Sequence, residues 1–333
     1  MKASFNSTAT MPTIIDILAA RKAVYAHLNP TPLFTYAGIN KLVGTSTWLK
    51  HENHQPVGAF KVRGGLYLAS QLSDTEKTAG LYSASTGNHG QSIAYAASKN
   101  HIAATIVVPE VANPGKVAAM RGLGATVEHH GKDFDEAREW AQHLADQAGG
   151  KFIGPTDEQL ICGVGTYGLE IMQTLPDVDC IIVPVGAGSG VCGTAIVAKT
   201  LNPNIQIIAV QSAQAPSMQL SWAAKKPVPA ATTTLAEGLA TRIPFENTQK
   251  IMRKYVDDFI LVDDEDINHA IYLLLQHTHN LVEEAGAASL AAAIKIRQQL
   301  QGKKVALVIS GGNLDSKNLF NILNSYEKKN ETD

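Results

Sequence analysis

Cysteine is scarce in this sequence: among 333 residues there are three, Cys162, Cys180 and Cys192. An odd number of widely spaced thiols excludes a disulfide framework and a CxxC metal pattern, so they read as small buried residues of a reduced protein. Blocks of basic charge are missing as well. Net charge is -2, and without a lysine or arginine cluster to neutralise a phosphate backbone, nucleic acid is not an expected partner. The start, Met1 to Asn6, has no apolar signal core and the first apolar stretch is broken by Asp16. Secretion is therefore not supported, and the chain is expected in the cytoplasm. The longest uncharged run, Cys180 to Ala198, could span a bilayer by length, but it holds Pro184 and four glycines between Gly186 and Gly193. A strand, a turn and a helix explain it better than a membrane span. The only stretches expected to be loosely ordered are the first ten residues and the tail from Tyr326 to Asp333.

What is abundant is glycine, with 27 residues, and apolar side chains, at 45%. A chain of this length exceeds the roughly 250 to 300 residues at which one core stops growing, so two domains are expected. Short β-branched runs at Leu81 to Ala84, Thr105 to Val108, Ala125 to Glu128, Cys180 to Val185, Ile205 to Gln211 and Val305 to Ile309 alternate with helical patterns. Those helices are expected at His89 to Lys99, Gly115 to Leu123, Phe134 to Gln147, Val191 to Lys199, Glu265 to Asn280 and Ala287 to Leu300. Strands separated by helices imply parallel sheets, and the fold class is α/β with helices on both faces. Residues 54–151, ending at Gly149-Gly150, are expected to form a small domain, with 1–53 and 152–333 making the larger one.

Four segments carry the chemistry. Lys61 lies in Gln55-Pro56-Val57-Gly58-Ala59-Phe60-Lys61-Val62-Arg63-Gly64, where by itself it would be an ordinary surface lysine. Ser83-Ala84-Ser85-Thr86-Gly87-Asn88-His89-Gly90-Gln91 follows a strand and opens a helix. Its hydroxyls and backbone N–H groups suit a carboxylate, and Asn88 can hydrogen-bond a phenolic oxygen. Val185-Gly186-Ala187-Gly188-Ser189-Gly190-Val191-Cys192-Gly193 offers backbone N–H groups and a helix N-terminus to a phosphate. Gly188 to Gly193 also matches GxGxxG. The acidic residue that a dinucleotide site needs about 20 positions on is replaced by Gln211, which ranks a nicotinamide nucleotide below a simple phosphate ester. Ser310-Gly311-Gly312-Asn313 ends an apolar run and can present a hydroxyl to a ring nitrogen. A lysine for an imine, a cradle for one phosphate, an Asn for a phenol and a Ser for a pyridine nitrogen together describe pyridoxal phosphate.

From about Ile14 to Asp315, and in the same order, the chain resembles the fold-type II pyridoxal-phosphate enzymes. It is most similar to their threonine/serine dehydratase (ammonia-lyase) and serine racemase branch, whose motifs take the form SFKxRG, SSGNHGQ, GGGG and SGGN. The resemblance implies two open, mainly parallel α/β domains of the tryptophan synthase β-like kind, and a homodimer. It implies that Lys61 is the Schiff-base lysine, that Phe60 lies near the ring, and that Asn88 meets the ring oxygen. Gly186, Ala187, Gly188, Ser189 and Gly190 would hold the phosphate, Ser310 would face the ring nitrogen, and Glu283 matches an acidic residue near the cofactor. Ser85, Thr86, Gly87, Asn88 and His89 would surround the substrate carboxylate. Lys61 would then remove the Cα proton, and loss of a β-hydroxyl would yield a 2-keto acid and ammonia from L-threonine, L-serine or a relative.

Departures from the pattern sharpen this. Ala59 replaces the usual Ser, Ala187 and Ser189 replace cradle glycines, and Glu284 stands where Pro is usual. Thr86 occupies the place of the serine that serves racemases as second-face acid/base; its methyl group constrains the rotamer and counts against racemisation. Gln211 and Ser217 replace acids of the racemase-like metal site, so no metal is expected there. His51 and His54 are spaced for one helical face, but no Cys or carboxylate pattern completes a site, and His277 and His279 would point to different faces. Gln214 to Met218 and Ala236 to Arg242 resemble dehydratase-like proteins associated with ectoine utilisation. No appended regulatory domain is expected. The competing readings are serine racemisation, elimination from a hydroxylated diamino acid or hydroxyaspartate, and a non-catalytic protein that binds the cofactor or an amino acid.

Overall fold

The β-branched runs pair into two sheets in a computed structural model that describes residues 11–330. Its strands are β1 (Leu33–Thr35), β2 (Ser46–His51), β3 (Leu81–Ala84), β4 (Ala104–Val108), β5 (Thr126–His129), β6 (Lys151–Phe152), β7 (Cys180–Pro184), β8 (Gln206–Ser212), β9 (Asp258–Val262) and β10 (Lys304–Ile309). A six-stranded sheet has the order β1-β2-β10-β7-β8-β9 and a four-stranded sheet the order β5-β4-β3-β6. Every pairing is parallel except β1 with the neighbouring β2. β7 is buried along its whole length, as the continuous apolar run requires when helices cover both faces of a parallel sheet.

Helices Glu158–Thr174 and Ser189–Leu201 pack one face of the larger sheet, while Asp264–Thr278 and Glu284–Lys295 pack the other. The four-stranded sheet has its own core around Ile93, Ile106 and Met120. β6 straddles position 151, where the small domain was expected to end.

A buried charge cluster anchors the start of the Val62–Ser70 helix. The Arg63 guanidinium, fully buried, grips Glu52 through Nε at 2.7 Å and Nη2 at 2.8 Å, and Glu170 through Nη1 at 2.6 Å and Nη2 at 2.9 Å. Lys50 Nζ adds a bond to Glu170 at 2.5 Å and one to the Thr31 carbonyl at 2.6 Å. Two cations and two carboxylates thus balance, which is the condition under which buried charge is tolerated. The cluster ties β2, the helix after Lys61 and the Glu158–Thr174 helix into one body.

The local units follow the expected spans with shifts of a few residues at their ends. The Glu158–Thr174 helix did not stand out in the sequence because Gly163, Gly165 and Gly168 weaken the helical pattern. The glycines are there for packing: a Cβ on Gly163 would sit 2.4 Å from the Arg63 carbonyl oxygen. The last helix, Ser316–Asn330, extends into the tail, and the Tyr326 ring stacks on His269 and Tyr272, each at 5.2 Å. The first ten residues and positions 331–333 lie outside the described residues.

Candidate active site

Ligand clefts in open α/β sheets form at the carboxyl ends of the strands, and the turns singled out in the sequence follow β3, β7 and β10. The Lys61 loop is clipped onto the turn after β10: Phe60 N donates to the Ser310 carbonyl at 3.1 Å, Gly312 N donates to the Gly58 carbonyl at 2.8 Å, and Ala59 bridges Gly311. Phe60, Lys61, Asn88, Gly186, Ala187, Gly188, Ser189, Gly190, Glu283 and Ser310 consequently line one cleft of about 360 Å³. Pro184, Gly238, Leu239 and Ala285 complete it.

Lys61 immediately precedes the Val62–Ser70 helix, and its carbonyl accepts from Ser92 Oγ at 2.6 Å and Gly65 N at 3.1 Å. The main chain is thus held while the side chain projects into the cleft, with Nζ 5.1 Å from the Phe60 ring centroid. Among the described residues no carboxylate reaches ion-pair distance of Nζ. Burial pulls the ammonium from 10.5 down to about 8, against a smaller upward pull from the Glu283 charge. A desolvated amine of this kind is both a nucleophile and a base near neutral pH.

The turn after β7 is built on Gly188, whose φ of +103° favours glycine. A Cβ there would meet Thr248 Cβ at 2.9 Å, and Thr248 Oγ1 donates to the Ala187 carbonyl at 2.7 Å. Ala187 and Ser189 do not need positive φ, so a side chain can replace glycine at both. The turn leads into the N-terminus of the Ser189–Leu201 helix, where exposed N–H groups favour an anion. Tyr167 braces the wall, donating to the Gly190 carbonyl at 3.0 Å with its ring edge-on to Phe60.

Asn88 sits in a hydrogen-bond circuit. Its Nδ2 donates to Glu283 Oε1 at 2.7 Å, and its Oδ1 accepts from Asn313 Nδ2 at 2.7 Å. Asn313 also donates through its backbone N to Glu283 Oε2 at 3.2 Å. One Nδ2 hydrogen of Asn88 remains for a cleft ligand. Burial raises the Glu283 carboxyl to about 7, partly offset by the bonds from Asn88 and Asn313. Asn313 was quoted in the sequence only as part of a motif; nothing local signals that it orients Asn88. Ser310 is 5% exposed, and its hydroxyl makes no hydrogen bond to the described residues.

Ser85, Thr86 and Gly87 form the turn ahead of the Asn88–Lys99 helix, braced by Gly87 N donating to Ser85 Oγ at 3.2 Å. His89 is buried, with Nε2 3.3 Å from the Ile153 carbonyl oxygen. Burial, with the Lys61 charge second, lowers its pKa to about 4, so it offers a neutral ring. Gln211 lies inside the wall. Its Nε2 donates to the Leu239 carbonyl at 3.3 Å, and its Oε1 accepts from Met218 N and Gln219 N, each at 3.2 Å. Ser217 donates to the Thr241 carbonyl. His51 and His54 stack at 4.9 Å, and among the described residues no group of three or more His, Cys, Asp or Glu is arranged to hold a metal.

These residues fit a phosphorylated pyridine aldehyde. A Cβ at Gly188 or Gly190 would crowd the glycine turn, Ser310 lines the cleft with its hydroxyl making no hydrogen bond to the described residues, and the Lys61 amine is desolvated without an ion-pair partner among them. Residues 24–311 match the family model described as pyridoxal-phosphate dependent enzyme. An L-threonine ammonia-lyase of Thermotoga maritima is 39% identical over 316 residues, covering 94% of this chain and 79% of the relative. The processed form of threonine deaminase isoform 2 from Solanum lycopersicum superposes with a TM-score of 0.89 at 31% identity, covering 97% of this chain and 98% of its own. Maize serine racemase superposes with a TM-score of 0.90 at 29% identity, covering 97% and 100%. The matched region contains Lys61, the glycine turn and Ser310 in one cleft, so the chain belongs to the pyridoxal-phosphate dependent enzymes of fold type II and takes pyridoxal phosphate as its cofactor.

Proposed function

We propose that the protein is an ammonia-lyase that eliminates the β-hydroxyl of L-threonine, L-serine or a closely related amino acid, releasing a 2-keto acid and ammonia. The observation that carries this reading is the pairing of a desolvated Lys61 amine with a neutral Ser310 hydroxyl in one cleft. Pyridoxal phosphate, when bound, supplies the electron sink that acidifies the substrate Cα–H bond. Lys61 Nζ accepts that proton, an assignment supported by its lowered pKa, which leaves part of the amine unprotonated near neutral pH. Ser310 would offer the ring nitrogen a neutral hydroxyl, where a carboxylate would hold that nitrogen protonated. Gly186 to Gly190 bind the cofactor phosphate, and the N-terminus of the Asn88–Lys99 helix, with Ser85, Thr86 and Gly87, binds the substrate carboxylate. Asn88, oriented by Glu283 and Asn313, donates to the ring oxygen.

The threonine ammonia-lyase and threonine deaminase relatives support elimination, while the likeness to maize serine racemase keeps racemisation as the second reading. Incubating the purified protein with L-threonine and L-serine and measuring keto acid, ammonia and D-enantiomer by chiral chromatography separates them. Keto acid is expected to dominate; D-serine accumulating faster than pyruvate would overturn the assignment. The same reading includes a small domain of residues 54–151 within a larger one of 1–53 and 152–333, a homodimer and a cytoplasmic location. The separate sheets support the first. Among the described residues no helix is long and apolar enough to cross a membrane.

A further inference from the structure

Two buried polar side chains take no part in the chemistry above and yet hold a wall of the cleft. Gln211, near the end of β8, and Ser217, at the start of the Ser217–Ala224 helix, are both 0% exposed, and neither lines the cleft. The wall segment they face begins with the 3₁₀ turn Glu237–Leu239 and contributes Gly238 and Leu239 to the cleft. Among the described residues it pairs with no strand of either sheet. Its backbone bonds are local: Leu239 N donates to the Ala236 carbonyl and Thr241 N to the Leu239 carbonyl, each at 2.8 Å. Buried carbonyls need partners, and here side chains supply them from behind. Gln211 Nε2 donates to the Leu239 carbonyl at 3.3 Å, and Ser217 Oγ donates to the Thr241 carbonyl. The same amide accepts through Oε1 from Met218 N and Gln219 N, each at 3.2 Å, which are donors that a helix start leaves free. Gln211 is thereby locked in one orientation, with its N–H aimed at the wall.

The chain from Gly238 to Thr248 in turn presses on the glycine turn after β7 at two points. A Cβ on Gly186 would lie 2.1 Å from the Gly238 carbonyl oxygen, and one on Gly188 would lie 2.9 Å from Thr248 Cβ. Gly238 has no room on its other side, where its own Cβ would sit 2.7 Å from Ala285 Cβ. Close-packed contacts pass a displacement on instead of absorbing it. A shift of the Leu239 and Thr241 carbonyls therefore reaches the backbone N–H groups of the turn.

We propose that Gln211 and Ser217 are positioning residues for the cofactor phosphate: by fixing the Leu239 and Thr241 carbonyls they hold the Gly186 to Gly190 turn in its anion-binding shape. The inference rests on assigning the phosphate to that turn, as above. Pyridoxal and pyridoxal phosphate carry the same aldehyde for Lys61 and differ in the phosphate ester, so fluorescence titration of cofactor-stripped protein with each isolates the phosphate contribution. The wild type is expected to prefer pyridoxal phosphate. Gln211→Met, uncharged and of similar length, and Ser217→Ala should each raise the pyridoxal phosphate Kd about tenfold, the effect of stranding one buried carbonyl. The pyridoxal Kd should stay within about twofold, the scatter expected of sites that do not interact. Urea unfolding measured alongside shows which variants fold. If Gln211→Met does not, Ser217→Ala, which leaves every Gln211 bond in place, decides the matter. Equal losses for the two ligands in a folded variant, or no loss for pyridoxal phosphate, would overturn the positioning role. A wild type that binds both ligands equally would instead refute the phosphate assignment, and this inference with it. Keto-acid formation plays no part in the readout, so failure of the elimination reading would leave the result standing.

Discussion

Replacing Lys61 by methionine should stabilise the cofactor-free protein while abolishing its ability to hold the cofactor covalently. Folding places the amine where its ammonium form is poorly solvated, and the pKa falls from 10.5 to about 8. At 1.36 kcal/mol per pH unit that drop is about 3 kcal/mol, and the part of Lys61 still open to the cleft trims it to about 2 kcal/mol. The sign follows from proton counting. Between pH 8 and 10.5 the unfolded chain binds more protons than the folded one, so wild-type stability rises with pH across that window and the full cost is paid below about pH 8. Methionine, of similar shape and without charge, removes the cost. Urea unfolding of the stripped wild type and Lys61→Met at pH 7 and pH 10 should therefore show a gain of about 2 kcal/mol for the variant at the lower pH and a much smaller one at the higher. A destabilised variant at pH 7, or a difference independent of pH, would refute the assignment of Lys61 as a desolvated amine.

The same titration governs cofactor uptake: the rate at which stripped protein forms a borohydride-trappable adduct at Lys61 should climb as pH rises toward and past about 8, and a flat profile would contradict it. Gly188→Ala forces a Cβ into positive φ at about 1–2 kcal/mol and against Thr248, so the cofactor dissociation constant should rise about tenfold or more by fluorescence titration. Unchanged affinity would remove the cradle from this turn. Glu52→Gln leaves the Arg63 cluster with an excess buried cation and should cost about 3 kcal/mol in urea unfolding; a loss under about 1 kcal/mol would mean the cluster relaxes or admits water. Thr86→Ala should depress any D-serine formation more than keto-acid formation, measured together by chiral chromatography, and equal losses would deny Thr86 a separate role.

The individual strand–turn–helix units were legible because their signals are local. Apolar runs ending in Ser85-Thr86-Gly87, Gly186 to Gly190 or Ser310-Gly311-Gly312 determine a strand, a turn and, in the first two cases, a helix N-terminus within a dozen residues, and the order of the motifs is enough to indicate a lysine-bound cofactor. β1 and β6, of three and two residues, are too short to show a period. The Glu158–Thr174 helix was hidden because its glycines serve contacts with helices far away in the chain. Tertiary structure alone decided the functional arrangement. The lowered pKa of Lys61 comes from burial beneath segments distant in sequence, its loop is placed by bonds to Ser310 and Gly312, and Asn88 is aimed by Glu283 and Asn313. Residue types and spacing determine which groups are available for the chemistry, whereas solvation and orientation depend on long-range packing, which no local pattern encodes.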